Sequence, residues 1–176
     1  MNRYIFENYE LRIIDGSNKQ CRIRIDSAEG EAFKNERRKL YIIQSKTEIL
    51  YIGEANCSIK IRFQRGCSSF NYYTKNQVAR GGYKGYKWLD KKNNCARNLK
   101  VSVAVFNSTF DSDKKRSFIE AIEGELVYLI RKNLKYWPRF QNEIHFNNEE
   151  GAKEIAEEIF KKIKTTTVKS IKWMKA

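Results

Sequence analysis

Two compact β-prone runs, Leu40-Tyr41-Ile42-Ile43 and Ile49-Leu50-Tyr51-Ile52, stand on either side of the polar tetrapeptide Ser45-Lys46-Thr47-Glu48. So short a connection lets them pair only as a tight antiparallel hairpin, because strands that run the same way need a far longer crossover. Gly53 closes the second run. Beyond it, Asn56 or Ser58 can cap a short helix, Ile59 to Arg65, which Gly66 can end. Leu99 to Phe106 then alternates as a third strand with its odd-numbered apolar residues on one face.

The helices follow. A start at Asp111 or Ser112 places Phe118, Ile119, Ile122, Leu126, Leu129 and Ile130 on one stripe that can pack on the sheet, and Pro138, the single proline, forbids continuation past Lys135-Tyr136-Trp137. A last helix puts Ala152, Ile155, Ala156, Ile159, Phe160 and Ile163 at helical spacing, acids first and lysines last, which agrees with the helix dipole. At the other end, residues 9–26 hold two alternating stretches around Asp15-Gly16-Ser17-Asn18, an edge hairpin whose Arg22 and Arg24 share a solvated face.

The expected class is therefore α+β. A small three-stranded antiparallel sheet is flanked by helices (residues 39–146, with a basic insertion at 66–98), an N-terminal hairpin arm and connector (1–38) precedes it, and a C-terminal helix and tail (147–176) pack on it. One domain is what 176 residues support.

Charge narrows the partner. Thirty-five Lys and Arg against twenty-one Asp and Glu leave a formal +14, an excess that gathers polyanions by field attraction alone. The insertion interleaves its cations, among them Arg80, Lys84 and Lys87, with Tyr83, Tyr86 and Trp88, a mixture suited to phosphates and base stacking. Trp88-Leu89 is expected to pack inward. No apolar run is long enough to span a membrane and the first residues lack a signal-peptide core, so a cytoplasmic chain is expected. Cys21, Cys57, Cys67 and Cys95 form no Cys-x-x-Cys pair, and His145 is the single histidine, which argues against zinc and other His-rich metal chemistry.

Three residue types then fall into one frame. Tyr41 and Tyr51 lie across the short turn, Arg62 sits in the short helix, and Glu123 and Glu125 sit in the long one. Leu40-Tyr41, Leu50-Tyr51-Ile52-Gly53, Arg62-Phe63-Gln64-Arg65, Ile122-Glu123-x-x-Leu126-Val127 and Pro138-Arg139-Phe140-Gln141-Asn142, in that order, resemble the motifs of GIY-YIG nucleases. Lys39-Leu40-Tyr41 stands where the family has Gly-Ile-Tyr, and Gly66 where many members carry His or Tyr. The insertion is more like that of the restriction-type endonucleases.

The resemblance implies a divalent-metal-dependent endonuclease acting on double-stranded DNA, with Mg²⁺ or Mn²⁺ as cofactor and a homodimer for double-strand breaks. Its catalytic residues would be Tyr41, Tyr51, Arg62, Glu123 and Asn142, with Glu123 as metal ligand. Amphipathicity alone places Glu123 and Glu125 on opposite edges of the apolar stripe and does not choose between them; the motif's apolar residues at +3 and +4 favour Glu123, with Glu125 the alternative. Arg65, Arg80, Tyr83, Lys84, Tyr86 and Lys87 are the expected nucleic-acid contacts.

The chemistry is consistent. A carboxylate suits Mg²⁺, which prefers oxygen and keeps several waters, and arginine suits a phosphate because its planar fork donates two bonds. Tyr41 as general base requires its phenol, with an ordinary pKa of about 10, to be brought down by nearby cations, for which Lys39, Lys84 and Lys87 are candidates. A non-catalytic nucleic-acid-binding module is the alternative. A PD-(D/E)XK nuclease would need Asp90-Lys91-Lys92 or Asp113-Lys114-Lys115 on a strand.

Overall fold

The computed structural model describes residues 3–15, 20–79, 86–112, 115–142, 144 and 147–167, with the side chains of 164–167 excepted. Its strands are β1 (Tyr4–Asp15), β2 (Cys21–Ile25), β3 (Lys39–Gln44), β4 (Ile49–Ala55) and β5 (Asn98–Phe106), and its helices are α1 (Ile59–Asn76), α2 (Arg116–Leu134) and α3 (Ala152–Thr167). The class is α+β, and every strand pairing is antiparallel.

The sheet has five strands in the order β2-β1-β5-β3-β4, not three. The N-terminal hairpin is part of it, because β1 begins at Tyr4 and pairs with β5 from Tyr4↔Phe106 to Arg12↔Asn98. Without β1, β5 would present a long apolar edge, which proteins rarely leave open. The other edge belongs to β4. There Arg139 and Phe140 donate backbone N–H bonds to the carbonyls of Ile49 and Leu50 at 3.3 and 2.8 Å, so the segment after Pro138 covers it.

Apolar residues pack on both faces. One face carries Tyr41, Ile43, Val101 and Val103 under α1 and the Trp88-Leu89 turn, and the other carries Leu40, Ile42, Ala104 and Phe106 under α2 and α3. The period-two pattern of β5 thus serves two cores at once.

Gly66 does not end α1, which runs on to Asn76. Ile59, Phe63, Cys67 and Phe70 continue one apolar stripe across it, and that burial outweighs the roughly 1 kcal/mol that a mid-helix glycine costs. The first part of the expected insertion is therefore helix. Trp88 and Leu89 are buried, at 4% and 1% exposure. Among the described residues no helix is long and apolar enough to cross a membrane.

Candidate active site

Tyr41 lies at the centre of this arrangement because β3 is an interior strand. Its ring is buried beneath α1, edge-on to Phe63 at 5.5 Å, and Phe63 is in turn edge-on to Trp88 at 5.8 Å. Antiparallel register sets Tyr41 opposite Gly53, and Tyr51 reaches the same face with its ring 6.0 Å away. The register requires a glycine there. A Cβ at position 53 would lie 2.7 Å from the Tyr41 hydroxyl and from Cε1 of Tyr51.

Arg62 enters from the first turn of α1. Its backbone N–H bonds to the Ser58 carbonyl at 2.9 Å, and the Ser58 N–H is itself held by Asn35 Oδ1 at 3.1 Å. So anchored, Arg62 donates from Nε to the Tyr41 hydroxyl at 3.2 Å, with its guanidinium 5.9 Å from the ring centre. The cation beside this phenol is therefore Arg62. Of the three expected candidates, Lys84 lies outside the described residues, Lys87 is exposed, and Lys39 is fully buried and donates to the carbonyls of Lys34 and Arg37 at 2.8 and 2.5 Å, which ties β3 to the connector before it.

Glu123 approaches from α2 on the opposite face. Gln141 Nε2 donates to Glu123 Oε1 at 2.9 Å while Gln141 Oε1 accepts the Ile52 N–H of the β4 edge at 3.1 Å. One amide thus joins the carboxylate to the strand that carries Tyr51 and Gly53. Burial is the main force on this carboxyl and pushes it up to about 8; Glu54 and Glu120 add to the rise, and the Gln141 bond and the charge of Arg62 oppose it. Both neighbouring acids are paired, Glu54 with the buried Arg38 at 2.6 Å and Glu120 with Arg116 at 2.9 Å.

Tyr41, Tyr51 and Arg62 therefore come together on the α1 face of β3 and β4, and Gln141 ties Glu123 to the β4 edge from the α2 face. Asn142 does not join them in the same way, for it is exposed, and the amide that contacts Glu123 belongs to Gln141, one residue earlier. Reasoning from sequence also missed Arg38 and Glu54. The signal was weak: one charged residue just before β3 and another near the end of β4, which antiparallel pairing makes diagonal neighbours.

Among the expected nucleic-acid contacts, Arg65 and Lys87 are exposed. Tyr86 is buried, its ring near Phe70 at 5.9 Å and Tyr73 at 6.0 Å, because it begins the turn that anchors Trp88. Arg80, Tyr83 and Lys84 lie outside the described residues. Asp90 sits in a turn, accepting the N–H of Lys92 at 3.0 Å, and not on a strand; Asp113 and Lys114 lie outside the described residues.

A cleft between β2 and α1, floored by Cys21, Phe63 and Cys67, is lined by none of Tyr41, Tyr51, Arg62 and Glu123. No protein-family profile, curated protein or solved structure matches the chain.

Proposed function

We propose that this protein is a divalent-metal-dependent endonuclease of the GIY-YIG kind, restriction-type, that hydrolyses phosphodiester bonds in duplex DNA. The observation that carries the reading is the bond from Arg62 Nε to the Tyr41 hydroxyl at 3.2 Å, formed where Glu123 feels the charge of the same arginine. A cation and a phenol from two elements meet there, and a third element sets a carboxylate within the field of the same arginine.

The donor set fits a hard cation. Among the described residues no group of three or more His, Cys, Asp or Glu is arranged as a complete cage, and Mg²⁺ typically takes one or two carboxylates, keeping waters and substrate oxygens for the rest. Glu123 would hold it, with Glu54 adding negative charge nearby, and the ion would supply charge neutralisation at the phosphate. Gln141 fixes one oxygen of Glu123 and leaves the other to bind. Arg62 takes a phosphate oxygen through its planar fork and stabilises the charge that grows there in the transition state. Tyr41 would first release its own proton to bulk water and, as a phenolate held by the same guanidinium, orient the attacking water and accept its proton. Tyr51 fixes the Tyr41 ring from the side.

Double-strand breaks would need two protomers matched to the symmetry of the target. The reading also places the chain in the cytoplasm, where such DNA is met. The test is a mixed-sequence plasmid incubated with the protein in Mg²⁺, Mn²⁺ or EDTA, with Glu123→Gln as control. Metal-dependent fragments lost in the variant support the reading. An intact plasmid that shifts on a gel in all three conditions overturns it in favour of a non-catalytic nucleic-acid-binding module.

A further inference from the structure

Helices cover only half of the sheet face that carries Leu40 and Ile42. The covered rows end at a polar row in which Gln44 Nε2 donates to Ser102 Oγ at 3.0 Å and Ser102 Oγ to Asn8 Oδ1 at 2.7 Å. Past that row the alternation of β1, β2 and β5 continues on the same face as Lys100, Asn98, Arg12, Ile14, Arg22 and Arg24. All but the half-buried Lys100 are exposed.

The pairing in this open half is unusual for a surface that only meets water. Arg12 lies directly opposite Arg24, and Arg22 is two residues further along the same edge strand. Like charges directly opposite one another in a ladder are destabilising. Acids nearby offset little: Asp26 reaches Arg12 only at 3.9 Å with both side chains exposed, Glu10 is spent opposite Lys100, and among the described residues Arg22 and Arg24 have no carboxylate partner. A second, anionic surface would turn this repulsion into attraction.

We infer that this open half of the sheet is a docking surface for the phosphate backbone of duplex nucleic acid. Three arginines offer planar forks suited to phosphate oxygens. None of the side chains on these rows is aromatic, so the stacking platform that single strands require is missing. The patch lies on the face that α2 and α3 cover further along, the face from which Glu123 approaches, whereas Tyr41 and Arg62 belong to the α1 face. The inference shares with the nuclease reading only the class of partner.

The test measures binding of the full chain to a labelled mixed-sequence duplex in EDTA, across a salt series, so that cleavage does not enter. Arg12→Ala/Arg22→Ala/Arg24→Ala should bind at least about 10-fold more weakly at low salt, and its slope of log K against log salt should shrink by about 0.9 for each phosphate no longer neutralised. The corresponding triple Lys variant should retain most of the slope. The melting temperature of the Ala variant should hold or rise, because a repulsive pair is gone. Unchanged duplex affinity overturns the inference, as does an affinity loss matched by a loss of fold in both triple variants. So does a loss confined to vesicles containing phosphatidylserine, which would make the patch a membrane contact. A protein that never cuts but shows the expected pattern keeps this inference and loses the nuclease reading; one that cuts yet binds equally well as the triple Ala variant does the reverse.

Discussion

Replacing Glu123 by Gln should stabilise the protein at pH 8 far more than at pH 5. Burial, reinforced by Glu54 and Glu120, raises this carboxyl from 4.5 to about 8. Between those values the folded chain keeps a proton that the unfolded chain has released, so the stability contributed by this group falls as pH rises through the window. At ~1.36 kcal/mol per unit the whole window amounts to roughly 5 kcal/mol, a large part of the 5–15 kcal/mol that typically holds a domain together. Gln keeps the oxygen that accepts from Gln141 and has nothing to titrate. Urea midpoints for wild type and variant at pH 5, 6, 7 and 8, in EDTA, should therefore diverge by several kcal/mol towards pH 8. Lys39 does not interfere. Burial pushes its ammonium down to about 8, so it affects stability only above that pH, where the unfolded chain holds the extra proton and stability rises. Mg²⁺ added at pH 8 should stabilise the wild type and not the variant, because an ion bound only by the folded state adds its binding free energy to stability. A difference between the two proteins that stays constant from pH 5 to 8 would refute the reasoning, since Glu123 would then titrate alike in both states.

Gly53→Ala puts a methyl group 2.7 Å from the Tyr41 hydroxyl and Tyr51 Cε1, so plasmid cutting should fall about 10-fold or more while stability drops by roughly 1–3 kcal/mol; normal cutting would detach the tyrosine pair from the chemistry. Gly66 is in mid-helix, and a methyl group added there would meet nothing within 4 Å, so Gly66→Ala should raise the melting temperature, by about 0.5–1 kcal/mol of stability, and a lower melting temperature would mean that this side of α1 is packed. Gln141→Ala removes a bond that lowers the proton affinity of Glu123, so the rising limb of the cleavage pH profile should move to higher pH. Asn142→Ala should leave it in place; the opposite result would return the role to Asn142.

Much of the architecture follows from periodicity. Ile49 to Ile52, the β5 alternation and the stripes of α2 and α3 each bury enough apolar surface to decide their own state, and the structure has them in the expected order. What local pattern could not show was where edges go. Tyr4 to Asn8 carry no clean alternation because they are half-covered by α3 on one side and by the connector on the other: Glu7 accepts the N–H groups of Glu31 and Ala32 at 3.0 and 2.8 Å, which turns a strand glutamate inward. Gly66 misled for a different reason. Local propensity argued for a stop, and the tertiary packing of Cys67 and Phe70 overrode it. At the candidate site, Tyr41, Tyr51, Arg62 and Glu123 were legible through their order, whereas Gln141 was not, since its role rests on the path of the chain after Pro138.

That path explains why structure and chemistry converge at β4. An edge strand needs cover, and the backbone of Arg139 and Phe140 supplies it opposite Ile49 and Leu50. At the next free donor, Ile52, the ladder passes from backbone to the side chain of Gln141, and the other end of that amide is turned to Glu123. The carboxylate is thereby indexed to the strand that carries Tyr51 and Gly53, and not merely to α2, so sliding of the helix against the sheet is opposed by the bond that caps the edge. A proton held by Glu123 up to about pH 8 has a further effect in the proposed nuclease. At neutral pH the metal-free site presents little charge from this residue to a phosphate, so a duplex can dock on the basic sheet face before the ion is in place. A divalent ion held by Glu123 would have to take the place of that proton, so its binding should weaken as pH falls below about 8.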